Sequence, residues 1–160
     1  ALILFLIASF TDFLDGMLAR LLGEESKLGE LLDPIADKII VAAALILLVM
    51  DGTIRSYEVI AAIIILTREI LVSGLREFLA EGKIKLPVSN LAKLKTVLQM
   101  VSIALLLSGE TGNKIINFQD YNAQTIGIVL LWLSAALTLF TGYEYMRKGI
   151  DHAISEDNKD

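Results

Sequence analysis

Apolar residues run almost unbroken through five stretches of the chain, at about 1–20, 34–50, 57–80, 91–108 and 124–146. Each is close to the roughly 17–25 residues that a helix needs to cross about 30 Å of hydrocarbon. Between them lie LLGEESKLGELLD, DGTIRSY, EGKIKLPVSN and GETGNKIINFQDYNA, whose Gly, Pro, Ser and Asn residues mark breaks between helices. The pattern predicts an all-α integral membrane protein, a bundle of transmembrane helices with five in this chain. Residues 1–150 are expected to form a single transmembrane domain and 151–160 a polar, solvated tail. The first apolar run has no basic leader of a cleavable signal and opens at Ala1 without an initiator methionine, so the natural N-terminus is expected to lie upstream.

Composition agrees with the pattern. Hydrophobic residues make up 55% of the 160 and charged residues 21%, against a soluble average of about 45–50% apolar. The absence of cysteine excludes a disulfide framework and thiolate metal sites, and the one histidine, His152, falls in the polar tail. A net charge of −5 names no partner by itself, and nucleic acid is not expected as one. What matters in a membrane protein is which loops hold the basic residues. One side of the expected bundle receives Arg20, Lys27, Arg76, Lys83, Lys85, Lys93, Lys95, Arg147 and Lys148, the other Arg55 and Lys114. The first side is therefore read as cytoplasmic. Trp132, Tyr143, Tyr145, Tyr57 and Tyr121 fall where aromatic residues anchor helices at the membrane interfaces or pack against neighbours.

Four acids interrupt this apolar chain: Asp12, Asp15, Asp33 and Asp37. On a helix Asp12 and Asp15 lie about 60° apart, with Gly16 and Ala19 on the same side, roughly 7–12 Å inside a helix end near Arg20. Asp33 and Asp37 are four apart and share a face of the next helix. A short connection makes the two helices antiparallel neighbours, so both pairs are expected to meet at the cytoplasmic end. Four carboxylates could not stay ionised together at that depth without cations. Oxygen-only donors favour Mg²⁺ or Mn²⁺, with Ca²⁺ allowed by ligand type, and four of them suffice for two ions, the arrangement that clamps attacking and leaving oxygens in phosphoryl transfer. Asp33 before Pro34 also reads as a helix cap, a role unavailable to Asp12 and Asp15 inside an apolar run. Gly16 and Gly29 beside the acids allow close approach of a ligand or of a neighbouring backbone.

A basic set follows in VIAAIIILTREILVSGLREFLA. Arg68, Glu69 and Arg76 fall within about 100° of one another on a helix, with Glu77 on the far side. Arg68 is expected about 13 Å inside the cytoplasmic end, near the depth of Asp12. Lys93 and Lys95 open the following helix on that side. Carboxylates that hold metal, beside Arg and Lys that grip a phosphate, are what a site joining two phosphorylated substrates requires. An internal ion pair of Arg68 with Glu69 or an aspartate is the structural alternative. Lys83 and Lys85 read as contacts to anionic headgroups.

The acids and their neighbours resemble the signature of the CDP-alcohol phosphotransferases, D-x-x-D-G-x-x-A-R-x8-G-x-x-x-D-x-x-x-D. Asp12, Asp15, Gly16, Ala19, Arg20, Gly29, Asp33 and Asp37 fill every position. TREILVSGLRE and AKLKTVLQM are similar to segments of the members that use glycerol 3-phosphate, with looser likeness at 109–123 and in the last helix. Ala92 stands where such members usually have glycine. The resemblance implies six membrane helices in the full protein, the first absent here, and a homodimer in a bacterial inner membrane with its active site facing the cytoplasm. It also implies transfer of the phosphatidyl group of CDP-diacylglycerol to the 1-hydroxyl of sn-glycerol 3-phosphate, giving phosphatidylglycerophosphate and CMP, a step of phospholipid biosynthesis. Asp12, Asp15, Asp33 and Asp37 would bind the metal, with Asp37 also the base for the attacking hydroxyl. Asp12, Gly16, Ala19, Arg20 and Gly29 would surround the CDP moiety, while Arg68, Arg76, Lys93 and Lys95 would form the glycerol phosphate pocket.

Two other readings compete. A sister transferase with another acceptor, making cardiolipin, phosphatidylinositol phosphate or phosphatidylserine, would share the metal site and differ only in the acceptor pocket. A divalent-cation channel or transporter would need polar residues on both sides of the acids, and VAAALILLVM and VIAAIIIL are dry.

Overall fold

The structure is a computed structural model, and it describes residues 2–7, 11, 27–81, 90–118 and 121–157. Residues 2–7 are helical. Among the described residues four long helices follow: α1 over Lys27–Met50, α2 over Glu58–Glu81, α3 over Asn90–Ile115 and α4 over Ala123–Asp157. A two-residue ladder, β1 (Asn117–Phe118) with β2 (Tyr121–Asn122), joins α3 to α4, pairing antiparallel with Asn117 opposite Asn122. The expected all-helical bundle is thus present, with one small hairpin in a connection read from the sequence as irregular.

α3 and α4 are long and apolar enough to cross a membrane, and α1 carries an apolar stretch over Lys38–Met50. α2 has comparable length, but Arg68, Glu69, Arg76 and Glu77 break its apolar run. The outward faces support a lipid surround. Ile39, Ile46 and Met50 of α1, Ile63 and Ile70 of α2, Val97 and Val101 of α3, and Leu133, Leu139 and Phe140 of α4 are all exposed. In water such apolar exposure along every long helix would invite aggregation, whereas acyl chains solvate it without cost. The protein is a membrane protein. Trp132, Tyr143 and Tyr57 are exposed as interface anchors should be, but Tyr145 is buried.

The chain divides into two compact units, residues 1–55 with 102–128, and residues 56–101 with 129–160. In the first, Leu45 and Leu48 of α1, Ile54, Ile103, Leu106 and Ala123 are core residues. α1 ends in a turn where Asp51 Oδ1 accepts from Thr53 N at 2.9 Å, and Gly52 takes φ +77°, a left-handed conformation that side chains resist. Within α3 the backbone leaves helical geometry at Gly109, with φ 55° and ψ −139°. Residues 110–115 then resume the helix before the hairpin. Ser102 Oγ donates to the Gly127 carbonyl at 2.8 Å, while Asn113 Oδ1 accepts from Gln124 N at 3.0 Å. The contacts rise along α3 as they fall along α4, so these parts of the helices run antiparallel.

In the second unit the buried face of α4 is Leu131, Ser134, Ala135, Thr138, Thr141, Gly142, Tyr145 and Gly149, the three- and four-residue spacing of one helix face. Most of these are small, which lets a neighbouring backbone approach closely. Leu75 of α2 packs so near Gly149 that a Cβ there would fall 2.8 Å from Leu75 Cδ1. Arg68 meets residues 141 and 142, while Leu75 meets 149. The contacts advance together, so α2 and α4 run parallel, as alternate passes through one bilayer must.

Candidate functional site

Three of the four basic residues expected at an acceptor pocket, Arg68, Arg76 and Lys95, come together in the second unit. Lys95 enters from α3 and is 3% exposed. Its ammonium donates to Glu69 Oε1 on α2. That carboxylate also lies 3.9 Å from Arg68 Nη1. Arg68 Nη2 donates to Thr141 Oγ1 at 2.9 Å, and Arg76 Nη2 donates to the Tyr145 hydroxyl at 2.8 Å. The Tyr145 ring, 5% exposed, stands under both guanidinium groups, with its centre 5.8 Å from Arg68 Cζ and 4.9 Å from Arg76 Cζ.

Local helix geometry produces this cluster. The positions of Arg68, Glu69 and Arg76 put all three on one side of α2, as the sequence predicts. Thr141 and Tyr145 are four apart on α4 and face that side together. Gly142 leaves room for the arginine: a Cβ there would sit 3.1 Å from Arg68 Cγ and 3.3 Å from its Nε. Thr141 turns its own hydroxyl hydrogen back to the Leu137 carbonyl at 2.8 Å, which leaves its lone pairs for Arg68. The ring faces offer their negative quadrupole to the two cations and ease their mutual repulsion.

Lys93 does not join the cluster. It is exposed and lies about 160° round α3 from Lys95, as two residues on one helix must. Sequence reasoning missed Thr141, Tyr145, Gly142 and Gln99. The signal for the α4 residues is the three- and four-residue spacing of small and hydroxylated side chains in an apolar span, which marks a helix face packed on polar groups rather than on lipid.

The acids stand differently. Asp12, Asp15, Gly16, Ala19 and Arg20 lie outside the described residues, as do Lys83 and Lys85. Gly29, Asp33 and Asp37 lie on α1, with Asp33 and Asp37 four residues apart along it. The cap reading of Asp33 does not hold, because α1 starts at Lys27 and Asp33 is inside it. Pro34 is likewise interior, and without an N–H it leaves the Glu30 carbonyl without its usual helical donor. Among the described residues no three His, Cys, Asp or Glu side chains gather into a metal site.

Comparison with known proteins decides the family. The sequence pattern of CDP-alcohol phosphatidyltransferases matches residues 1–140. The chain belongs to the CDP-alcohol phosphatidyltransferase family. Similar relatives include proteins of Rickettsia bellii (strain RML369-C) and Rickettsia typhi (strain ATCC VR-144 / Wilmington), each 44% identical over 91% of this chain, covering 76% and 77% of those proteins. Another, from Cereibacter sphaeroides (strain ATCC 17023), is 38% identical over 98% of this chain and 84% of its own length. All three bear the name CDP-diacylglycerol–glycerol-3-phosphate 3-phosphatidyltransferase.

Proposed function

We propose that this protein transfers the phosphatidyl group of CDP-diacylglycerol to the 1-hydroxyl of sn-glycerol 3-phosphate, releasing CMP, in the synthesis of phosphatidylglycerophosphate. The observation that carries the acceptor is the charge of the α2–α3–α4 cluster. Arg68, Arg76 and Lys95 give three positive charges and Glu69 one negative, leaving two. A phosphate monoester carries about −1.5 to −2 near neutral pH, so glycerol 3-phosphate balances the cluster where a neutral alcohol such as inositol does not. The names of the relatives support the same acceptor.

The donor side falls to the acids. Asp12, Asp15, Asp33 and Asp37 would hold Mg²⁺ or Mn²⁺, for which an all-carboxylate donor set is suited, and the turn-spaced Asp33 and Asp37 fit as two of the donors. Bound divalent ions would supply charge neutralisation at the diphosphate and improve CMP as a leaving group. Gly16, Ala19, Gly29 and Arg20 surround the CDP moiety in this reading. Asp37 takes the proton of the 1-hydroxyl as its oxygen attacks the phosphatidyl phosphorus, and the bond from that phosphorus to the CMP oxygen breaks. Arg68, Arg76 and Lys95 hold the acceptor phosphate, with Lys93 at the exposed margin of α3. The excess of Lys and Arg on one side supports a cytoplasm-facing site in a bacterial inner membrane.

An acceptor screen tests this reading. With labelled CDP-diacylglycerol and Mg²⁺, CMP release should require glycerol 3-phosphate and not occur with phosphatidylglycerol, inositol phosphate, inositol or serine. Release with another of these acceptors in place of glycerol 3-phosphate would overturn it. Chelation should abolish turnover and Mg²⁺ or Mn²⁺ restore it, and Asp33→Asn should be inactive.

A further inference from the structure

Gln99 lies four residues beyond Lys95 on α3, so the two side chains share a face and look into the same part of the second unit. It is 3% exposed, and its Oε1 is buried with no hydrogen-bond partner among the described residues. Arg68 Nε is also buried and without a hydrogen-bond partner among the described residues. A buried carboxamide left open is costly, and proteins keep such groups where a ligand or an ordered water completes them. Leucine would pack at this depth without that cost, so the polar side chain calls for a use.

The chemistry of the open atom selects the partner. A carbonyl oxygen accepts hydrogen bonds, so it repels the oxygens of a phosphate dianion and attracts a hydroxyl. An amide also carries no net charge, so it avoids the cost of a second carboxylate beside Glu69 in an apolar span. The cations of the cluster and Gln99 therefore suit different ends of one small molecule: the phosphate at Lys95, Arg68 and Arg76, and a hydroxyl at Gln99.

We infer that Gln99 is a specificity-determining residue whose Oε1 accepts a hydrogen bond from the 2-hydroxyl of the acceptor. This rests on the proposed acceptor, glycerol 3-phosphate, in which the 1-hydroxyl attacks and the 2-hydroxyl is the one left to be recognised. A site that buries a group for a substrate hydroxyl rejects the analogue lacking it, because the protein group is then left unpaired.

The test compares glycerol 3-phosphate with 3-hydroxypropyl phosphate, which keeps the phosphate and the attacking hydroxyl and lacks the 2-hydroxyl. The protein in detergent–phospholipid micelles should favour glycerol 3-phosphate by about 30- to 100-fold in kcat/KM. Gln99→Leu should lose that factor for glycerol 3-phosphate, leave 3-hydroxypropyl phosphate turnover within about threefold of the unaltered protein, and keep KM for CDP-diacylglycerol. Gln99→Met serves the same comparison if the leucine variant does not fold. Equal losses for both acceptors would show a structural role for Gln99 and overturn the inference while leaving the proposed function intact. Absence of CMP release with glycerol 3-phosphate in the unaltered protein would instead overturn the proposed function, and the inference with it.

Discussion

Lys95 of α3 donates to Glu69 of α2, so a buried ammonium meets a half-buried carboxylate between two long helices. Neither charge would be tolerated alone in that setting, since removing one partner of a buried pair leaves the other uncompensated, at about 3–5 kcal/mol. Glu69→Leu and Lys95→Met are each expected to lower the unfolding free energy in detergent by that order. The double variant should recover to within about 1–2 kcal/mol of the unaltered protein, because two apolar groups leave no orphan charge. A double variant whose loss equals the sum of the two single losses would show that the two are not coupled.

Tyr145 does two things that substitution can separate. Its hydroxyl accepts from Arg76 and its ring stands under Arg68 and Arg76. Tyr145→Phe removes the hydrogen bond, at about 1.5–3 kcal/mol for a charged donor, and keeps the ring. Tyr145→Leu removes both and forfeits about 0.5–2 kcal/mol more. KM for glycerol 3-phosphate should rise in that order, with KM for CDP-diacylglycerol unchanged. Equal effects on both substrates would place Tyr145 in packing alone.

Gly127 marks a close approach of α4 to α3 in the first unit. A Cβ there would lie 2.8 Å from Leu106 Cγ and 2.9 Å from its Cδ2. Gly127→Ala is expected to destabilise by about 1–3 kcal/mol through overpacking, despite alanine's better helix propensity. Leu106→Val in the same chain should return part of the loss. Thermal unfolding of the two single variants and the double variant measures this, and a stabilised Gly127→Ala would contradict the close approach.

The orientation can be read with single cysteines, since these 160 residues contain none. Lys93 and Lys114 are both exposed and belong to opposite sides of the expected topology. In intact cells a membrane-impermeant maleimide should label Lys114→Cys, and label Lys93→Cys after permeabilisation only. The reverse pattern would invert the orientation and put the cationic cluster on the wrong side for a cytoplasmic acceptor.

Much of the cluster was legible before the fold. Arg68, Glu69 and Arg76 declare themselves because charges are costly in an apolar run, and fixed helical rotation puts them on one side. Tyr145 was not legible, because an aromatic near the end of a membrane helix has the same sequence signature at the lipid interface as in the interior. The cap alternative for Asp33 arises because Asp-Pro is a strong local start signal. The helix instead begins at Lys27, with Leu, Glu and Lys good helix formers through the turns ahead of the proline.

The sequence by itself determined the helical class, the approximate spans, the spacing of the four acids and the family. Each depends on composition or on offsets along one helix, which chain geometry fixes without reference to any other segment. Only the tertiary structure decided that Glu69 is the counterion of Lys95, that Tyr145 underlies both arginines, and that Gln99 keeps a buried acceptor open. These relationships join residues 26 to 77 positions apart in the chain. They depend on how neighbouring helices are rotated and how closely small residues such as Gly142 let them approach, and no local periodicity encodes that.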